Sequence, residues 1–135
     1  MIEQINIVKP DGSKYRALVV DDSAFTLKQI TQILMSAGIE VVGNAPRGED
    51  AIRMYKELYP NVDFVTLDIT MPDIDGLQVL KEILSFDKNA KVIMVTALGR
   101  EDIVKTAIMN GAKGFILKPL DRLKVLERLK AILGA

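Results

Sequence analysis

The chain has 135 residues, of which 49% are hydrophobic and 27% charged, and its 18 basic residues balance its 18 acidic ones. This size and composition suit one soluble domain, and the balance excludes the basic excess of a protein that binds nucleic acid by charge alone. The sequence contains neither Cys nor His, which excludes disulfides, thiol catalysis, Cys/His zinc sites and histidine acid–base chemistry.

Residues 1–15 fit no repeating unit and are predicted to form an N-terminal arm before one domain over residues 16–135. Ile5, Ile7 and Val8 can add an irregular strand, and residues 9–12 (Lys-Pro-Asp-Gly) predict a turn followed by a mobile stretch. The first 16 residues lack the basic start and apolar core of a signal peptide, and no apolar run approaches the ~20 residues of a membrane span. We therefore expect a cytoplasmic protein without membrane contact.

Short apolar runs predict the strands of a sheet. Four of them lack apolar–polar alternation, as expected of parallel strands covered on both faces: residues 17–20, 64–67, 92–95 and 115–117. A fifth run, residues 39–43, is interrupted by Glu40 and predicts an edge strand.

Helical patterns alternate with these strands. Leu27, Ile30 and Leu34 form the first apolar stripe, with Ser23 as its N-cap and Gly38 at its end. A second helix is predicted over residues 49–58 and ends at Tyr59-Pro60, and a third follows Asp75 with Leu77, Leu80 and Leu84 on its apolar stripe. The stripe of the fourth is formed by Ile103, Ala107 and Ile108 and ends at Gly111. The stripe of the fifth is formed by Leu120, Leu123, Leu126, Leu129 and Leu133. Five βα units predict an α/β fold with a doubly wound parallel sheet.

Polar residues follow four of the predicted strands: Asp21 and Asp22, then Asp68, Thr96 and Lys118. In open parallel sheets, ligands bind outside the carboxyl ends of the strands, where the strand order reverses. Three neighbouring carboxylates repel one another and need a cation, and oxygen ligands select a hard ion such as Mg²⁺. The set predicts phosphoryl transfer to a carboxylate nucleophile, although the residues alone leave open which Asp is the acceptor.

A plainer interpretation exists for each residue taken singly. A strand-end Asp can simply cap the next helix, Thr96 can be strand-end polarity, and Lys118 can be a solvated charge. The placement of all of them at one edge of the sheet favours the functional interpretation.

Four ordered motifs resemble the receiver domains of response regulators in two-component signalling, in particular stand-alone chemotaxis regulators of the CheY type. They are Leu-Val-Val-Asp-Asp-Ser at 18–23, Asp-Ile-Thr-Met-Pro-Asp-Ile-Asp-Gly at 68–76, Val-Thr-Ala at 95–97 and Gly-Ala-Lys-Gly-Phe-Ile-Leu-Lys-Pro at 111–119. The resemblance spans residues 16–133 and implies a flavodoxin-like (βα)₅ sheet in the order 2-1-3-4-5.

The resemblance also implies roles for the site residues. Asp68 matches the phosphoacceptor; Asp22, Asp68 and the Thr70 backbone carbonyl would bind Mg²⁺ directly, and Asp21 through a water. Lys118 would contact the phosphoryl oxygens and precede a cis peptide bond to Pro119.

Other matched positions concern switching and timing. Thr96 and Phe115 match a switch pair, in which the hydroxyl moves toward the phosphoryl group and the ring turns inward. The fourth helix, fifth strand and fifth helix would form the output face, and residues 99–135 hold eight basic and four acidic residues. Thr70 and Leu98 match positions that set the rate of hydrolysis, and because Leu98 cannot guide a water we expect slow self-dephosphorylation.

The function that the resemblance implies is that of a signalling switch, an enzyme only toward its own phosphorylation and dephosphorylation. A CheA-like histidine kinase would phosphorylate Asp68, and output would pass by protein binding, since we expect no output domain, to a flagellar motor switch protein. A phosphatase is a possible further partner, and we expect a monomer that can dimerise on phosphorylation.

Three other functions share features with this pattern. A phosphorelay intermediate, which passes its phosphoryl group to a histidine phosphotransfer protein, stays open. A haloacid-dehalogenase-type phosphohydrolase is disfavoured because Thr70 stands where that family has a second Asp and because its nucleophile follows the first strand. Flavin binding is disfavoured because no Ser/Thr/Gly-rich loop follows the first strand.

Overall fold

The computed structural model describes residues 5–69, 71, 73–97 and 100–134. Within these ranges five parallel strands form one sheet in the order β2-β1-β3-β4-β5. The strands are β1 (Arg16–Val20), β2 (Glu40–Ala45), β3 (Phe64–Asp68), β4 (Val92–Ala97) and β5 (Gly114–Lys118). The helices are α1 (Ala24–Ser36), α2 (Gly48–Leu58), α3 (Gly76–Phe86), α4 (Glu101–Met109) and α5 (Arg122–Leu133). The predicted α/β fold and strand order are confirmed.

Successive side chains of the strands enter two hydrophobic cores, one on each face of the sheet. Leu18, Val65 and Met94 belong to the core under α2, α3 and α4, whereas Val19 and Ile93 belong to the core under α1 and α5. Because both faces are covered, the strands carry apolar residues without alternation. The sheet, packed on both faces, therefore sets where the strand ends lie.

Local signals in the sequence set the helix ends. The Ser23 hydroxyl accepts from Thr26 N–H at 3.2 Å and caps α1, and Gly38, with φ of +82°, follows the end of that helix. The side chains of Asp75 and Asp121 cap α3 and α5 in the same way. In the described part of the chain, no helix has the length and apolar character needed to cross a bilayer.

The predicted edge strand exists, but its bounds differ from those expected. β2 runs from Glu40 to Ala45 and pairs with β1 alone, so it is an edge strand as predicted. Gly43 lies inside the strand, where the register with β1 shifts next to Leu18. A Cβ atom at Gly43 would lie 2.6 Å from Met54 Cε, so the glycine permits α2 to pack closely rather than ending the strand.

Two of the predicted apolar stripes were partly wrong. Leu123 is 41% exposed, whereas Val125 is buried with Leu126 and Leu129. Because Asp121 caps the helix and α5 begins at Arg122, the buried face of α5 contains Val125, Leu126 and Leu129. The positions of the leucines alone did not identify this face. In α4, Val104 and Ala107 are buried while the predicted Ile108 is 42% exposed.

The segment before β1 is packed against the domain. Gly12 N–H donates to Lys9 O at 2.8 Å, which confirms the predicted turn. Ile7 is fully buried, and its N–H donates to Ala37 O at 2.9 Å. This burial was not predicted, and the division of the chain at residue 16 stays a prediction.

Candidate acidic site at the carboxyl ends of the strands

The strand order reverses between β1 and β3, and acidic residues stand at the carboxyl ends of both strands. Asp68 is the last residue of β3, and Asp21 directly follows β1. The parallel pairing of β1 with β3 brings these two positions side by side. Both residues are buried, Asp21 completely and Asp68 with 6% of its surface exposed.

Asp21, Asp22 and Asp68 form a cluster, called the acidic site below. Each offers a carboxylate oxygen, and these oxygens all lie within 4.8 Å of one another. At that distance two ionised carboxylates repel by about 3.5 kcal/mol at an effective dielectric of about 20. The cluster therefore destabilises the folded protein unless a positive charge lies close to the three carboxylates.

Lys118, at the end of β5, supplies part of that positive charge. Its Nζ lies 3.1 Å from Asp21 Oδ2 and 3.6 Å from Asp68 Oδ1. The lysine side chain is 28% exposed, so it reaches inward to the acidic site from the surface. Its peptide bond to Pro119 is cis, as the resemblance implies.

The donor set of the acidic site fits a hard divalent cation. Asp21 Oδ1 accepts from Ser23 N–H at 2.9 Å, but Asp21 Oδ2 is buried without a hydrogen-bond partner in the part of the chain that the structure describes. The contact of Lys118 with this oxygen is an ion pair outside hydrogen-bond geometry. A buried oxygen with unused lone pairs, beside two further carboxylates, is what a cation with oxygen ligands requires.

The simpler interpretation of these residues as helix caps does not hold for Asp21 or Asp68. α1 is capped by Ser23, and α3 is capped by Asp75. Both aspartates lie before those caps and point into the acidic site instead.

The predicted switch residues lie on neighbouring strands. Thr96 in β4 is 3% exposed, and its hydroxyl donates to Ala97 O at 3.3 Å. Phe115 in β5 is half-buried, and the Arg128 guanidinium lies 4.6 Å from the centroid of its ring. In the β4–β5 pair Thr96 lies opposite Leu117 and Phe115 opposite Met94, so the two residues are offset by two positions. Their switching role stays a prediction.

The loop that follows Asp68 is closed at its base by Gly76. Gly76 N–H donates to Ile69 O at 2.7 Å, and a Cβ atom at Gly76 would lie 2.5 Å from the backbone oxygen of Asp68. The glycine is therefore needed for the close approach of loop and strand. The predicted positions Thr70 and Leu98 lie outside the described residues.

Sequence reasoning missed one residue of this loop. Asp73 accepts hydrogen bonds from the backbone N–H groups of Gly48 at 3.0 Å and Glu49 at 2.9 Å, at the start of α2. Partial burial pushes the pKa of Asp73 upward, but the N–H groups of Glu49 and Gly48 outweigh it and lower that pKa to about 2. An Asp just before a helix resembles a cap for that helix, so no signal in the sequence pointed to α2.

A surface groove of about 760 Å³ runs along β5 and α5, next to the acidic site. Leu117 and Pro119 form part of its wall, which also holds three basic and two acidic residues: Lys118, Lys124, Arg128, Asp121 and Glu127. The predicted output face thus contains a concavity with charges of both signs.

Comparisons with known proteins agree with this geometry. The sequence model of the response regulator receiver domain matches residues 17–130. The chemotaxis protein CheY of Treponema pallidum is 57% identical over 125 residues, which cover 93% of this chain and 87% of the relative. CheY of Thermotoga maritima is 45% identical over 117 residues, which cover 87% and 96%. A crystal structure of a CheX–CheY–BeF₃–Mg²⁺ complex from Borrelia burgdorferi superposes with a TM-score of 0.88 at 52% identity, covering 96% of each chain. The chain therefore belongs to the response regulator receiver domain family, and within it to the CheY-like proteins.

Proposed function

We propose that this chain is a stand-alone response regulator that accepts a phosphoryl group on Asp68 from a histidine kinase in a Mg²⁺-dependent reaction. The observation that carries the proposal is the acidic site itself, in which Asp68 shares a cation-binding arrangement with Asp21 and Asp22 while Lys118 lies 3.6 Å from its carboxylate. A second support is the Borrelia relative, which was crystallised with BeF₃ and Mg²⁺.

The residues divide the chemistry between them. An Asp68 carboxylate oxygen would attack the phosphorus of a phosphohistidine. The P–N bond breaks, its electron pair stays on the ring nitrogen of the departing imidazole, which takes up a proton from solvent, and an acyl phosphate is left on Asp68. The Lys118 ammonium would stabilise the developing charge on the phosphoryl oxygens, and the Thr96 hydroxyl would donate a hydrogen bond to one of them. Bound Mg²⁺ would neutralise charge between the carboxylates and the phosphoryl group, held by Asp22 and Asp68 with the Thr70 carbonyl, and by Asp21 through a water.

The output side of the proposal is a phosphorylation-dependent protein contact in chemotaxis. Several relatives at 45% identity or more are chemotaxis proteins named CheY, and one is crystallised with a second protein, CheX. The groove along β5 and α5 is lined in part by Arg128, whose guanidinium contacts the Phe115 ring, so a movement of that ring would reach the groove through Arg128. A CheA-like kinase, a flagellar motor switch protein and a phosphatase are the partners that this proposal names, in the cytoplasm.

Phosphorylation tests the proposal directly. Purified protein incubated with Mg²⁺ and phosphoramidate or acetyl phosphate should gain one phosphoryl group, as measured by intact mass. Asp68→Asn should gain none, because the amide is not a nucleophile here, and EDTA should abolish the gain in the wild type. Asp75→Asn is the matched control, since it changes a carboxylate in the same loop that caps α3 and Asn retains capping ability.

The outcomes separate the candidate functions. Labelling that survives Asp68→Asn refutes the assignment, and steady turnover of phosphate esters would favour a phosphohydrolase. Phosphate-dependent binding to a motor switch peptide is expected, whereas transfer to a phosphotransfer domain instead would identify a phosphorelay intermediate.

A further inference from the structure

Asp73 belongs to the loop between β3 and α3, yet its hydrogen bonds are made in α2. Its Oδ1 accepts from Gly48 N–H and its Oδ2 from Glu49 N–H. The residue in the N-cap position of α2 is Arg47, whose side chain makes no capping hydrogen bond. The first N–H groups of a helix need acceptors, so α2 is capped by a residue from a distant part of the chain.

This junction between the loop and α2 is tightly packed. A Cβ atom at Gly48 would lie 2.5 Å from Ile74 Cγ1 and 2.8 Å from Val79 Cγ2. The Asp73 side chain is 11% exposed, and Arg47 Nε lies 3.9 Å from its Oδ2. With its lowered pKa the carboxylate stays ionised at neutral pH, which strengthens its bonds to the two N–H groups.

The same loop begins at Asp68. At the base of the loop, Gly76 N–H donates a hydrogen bond to Ile69 O. Gly76 also lies close to the backbone oxygen of Asp68, so the two ends of the loop are held together there. Toward its far end Asp73 fixes it to α2. The described contacts therefore attach this loop at two points, one between Ile69 and Gly76 and one between Asp73 and α2.

We propose that Asp73 is a positioning residue: it ties the loop after Asp68 to the N-terminus of α2 and thereby sets the affinity of the acidic site for Mg²⁺. The inference rests on the proposed function, because it takes the acidic site as the place where Mg²⁺ binds. Coupling between two sites is reciprocal, so Mg²⁺ binding should in turn change the environment of the backbone N–H groups at the start of α2.

An NMR titration with Mg²⁺ tests both directions of this coupling. Asp73→Ala should weaken Mg²⁺ binding roughly tenfold, as loss of residues that orient metal ligands does. In the wild type, the amide signals of Gly48 and Glu49 should shift with Mg²⁺ together with those of the acidic site. In Asp73→Ala the response at residues 48 and 49 should vanish, which a purely structural role of Asp73 would not produce.

Two further variants separate position from charge. Gly48→Ala changes no charge but forces Ile74 and Val79 away from the helix start, so it should also weaken Mg²⁺ binding. Asp75→Ala removes a carboxylate from the same loop without touching α2, and should leave the affinity within about twofold because an exposed charge is screened. If Gly48→Ala does not fold, Asp73→Asn replaces it: the amide keeps one acceptor oxygen without the charge, so an affinity between wild type and Asp73→Ala supports positioning.

Each outcome decides the inference. Folded Asp73→Ala that binds Mg²⁺ as tightly as the wild type overturns it, and so does Asp75→Ala that weakens binding as much as Asp73→Ala. Asp73→Asn that equals Asp73→Ala would assign the effect to charge and overturn positioning. If the wild type does not respond to Mg²⁺, or if its response survives in Asp68→Asn, the proposed function is refuted. The inference then falls with it.

Discussion

The two ends of the sheet both hold buried or half-buried aspartates, but the chain satisfies them very differently. At the amino end of β3, Asp63 accepts from Arg16 N–H at 2.7 Å and contacts Lys9 Nζ at 2.8 Å and Arg16 Nε at 3.3 Å. At the carboxyl end, three carboxylates crowd together, and Asp21 Oδ2 lacks a hydrogen bond among the described residues. A carboxylate whose lone pairs are used by the chain's own donors stabilises the fold, whereas one with unused lone pairs has the capacity to bind a cation.

The pKa of Asp63 reflects this use of its lone pairs. Burial raises the pKa of its carboxyl, but the hydrogen bonds from Lys9 and from the Arg16 backbone N–H outweigh burial and hold the pKa below its usual range. The charged form is therefore favoured by the fold. This also explains how residues 5–15 are tied down, because Lys9 lies in the turn of that segment.

Asp63→Ala should have the largest effect on stability. We expect the free energy of unfolding to fall by about 3 kcal/mol, because a charged acceptor with a backbone donor and two cationic partners is lost. Mg²⁺ affinity should not change, since Asp63 lies at the opposite end of the sheet. Urea unfolding at pH 7 and an NMR titration with Mg²⁺ measure the two quantities.

The pH dependence of the same variant gives an independent check. Because the pKa of Asp63 is lower in the folded than in the unfolded protein, its contribution is present above the ordinary carboxyl pKa and is lost as pH falls through the folded value. The difference between wild type and Asp63→Ala should thus shrink below about pH 4. Asn61→Ala, which removes an exposed hydrogen bond to Arg16 at the same end, should cost under about 0.5 kcal/mol; an equal loss would contradict the role given to Asp63.

Asp68→Asn should change the free energy of unfolding in the direction opposite to Asp63→Ala. Without Mg²⁺ we expect it to raise the free energy of unfolding by about 1 kcal/mol, because relief from two neighbouring carboxylates exceeds the lost attraction to Lys118. Added Mg²⁺ should stabilise the wild type according to the occupancy of the site and leave the variant unchanged. Urea unfolding with and without Mg²⁺ checks this, and a variant less stable than the wild type without Mg²⁺ would show that the acidic site carries no strain.

These residues also show what sequence can predict. Asp21, Asp68, Thr96 and Lys118 follow apolar runs, and parallel strands bring their carboxyl ends to one edge, so local pattern and topology suffice to place them. The contacts of Asp63 with Lys9 and of Asp73 with Gly48 join segments far apart in the chain. They depend on the packing of particular helices and loops, which hydrophobic periodicity does not encode.

Thr66, a polar residue in the middle of the sheet, tests the comparison between the two ends of the sheet. Thr66 in β3 is fully buried, and its Oγ1 has no hydrogen-bond partner among the described residues. It pairs with Val19 and Ile93 on the neighbouring strands, far from any cation-binding geometry. Its hydroxyl therefore adds no hydrogen bond to the stability of the described part of the chain.

Thr66→Val should therefore stabilise the protein by a small amount. The isopropyl group fills the same space without an unpaired hydroxyl, so the free energy of unfolding should rise by about 0.5 to 1 kcal/mol. Phosphorylation of Asp68 and Mg²⁺ affinity should stay unchanged. Ala17→Gly, which empties buried volume in the adjacent β1, is the control that must destabilise. Loss of stability in Thr66→Val would mean that the hydroxyl has a partner that matters, and an unsatisfied oxygen would then not by itself distinguish a ligand site from the rest of the sheet.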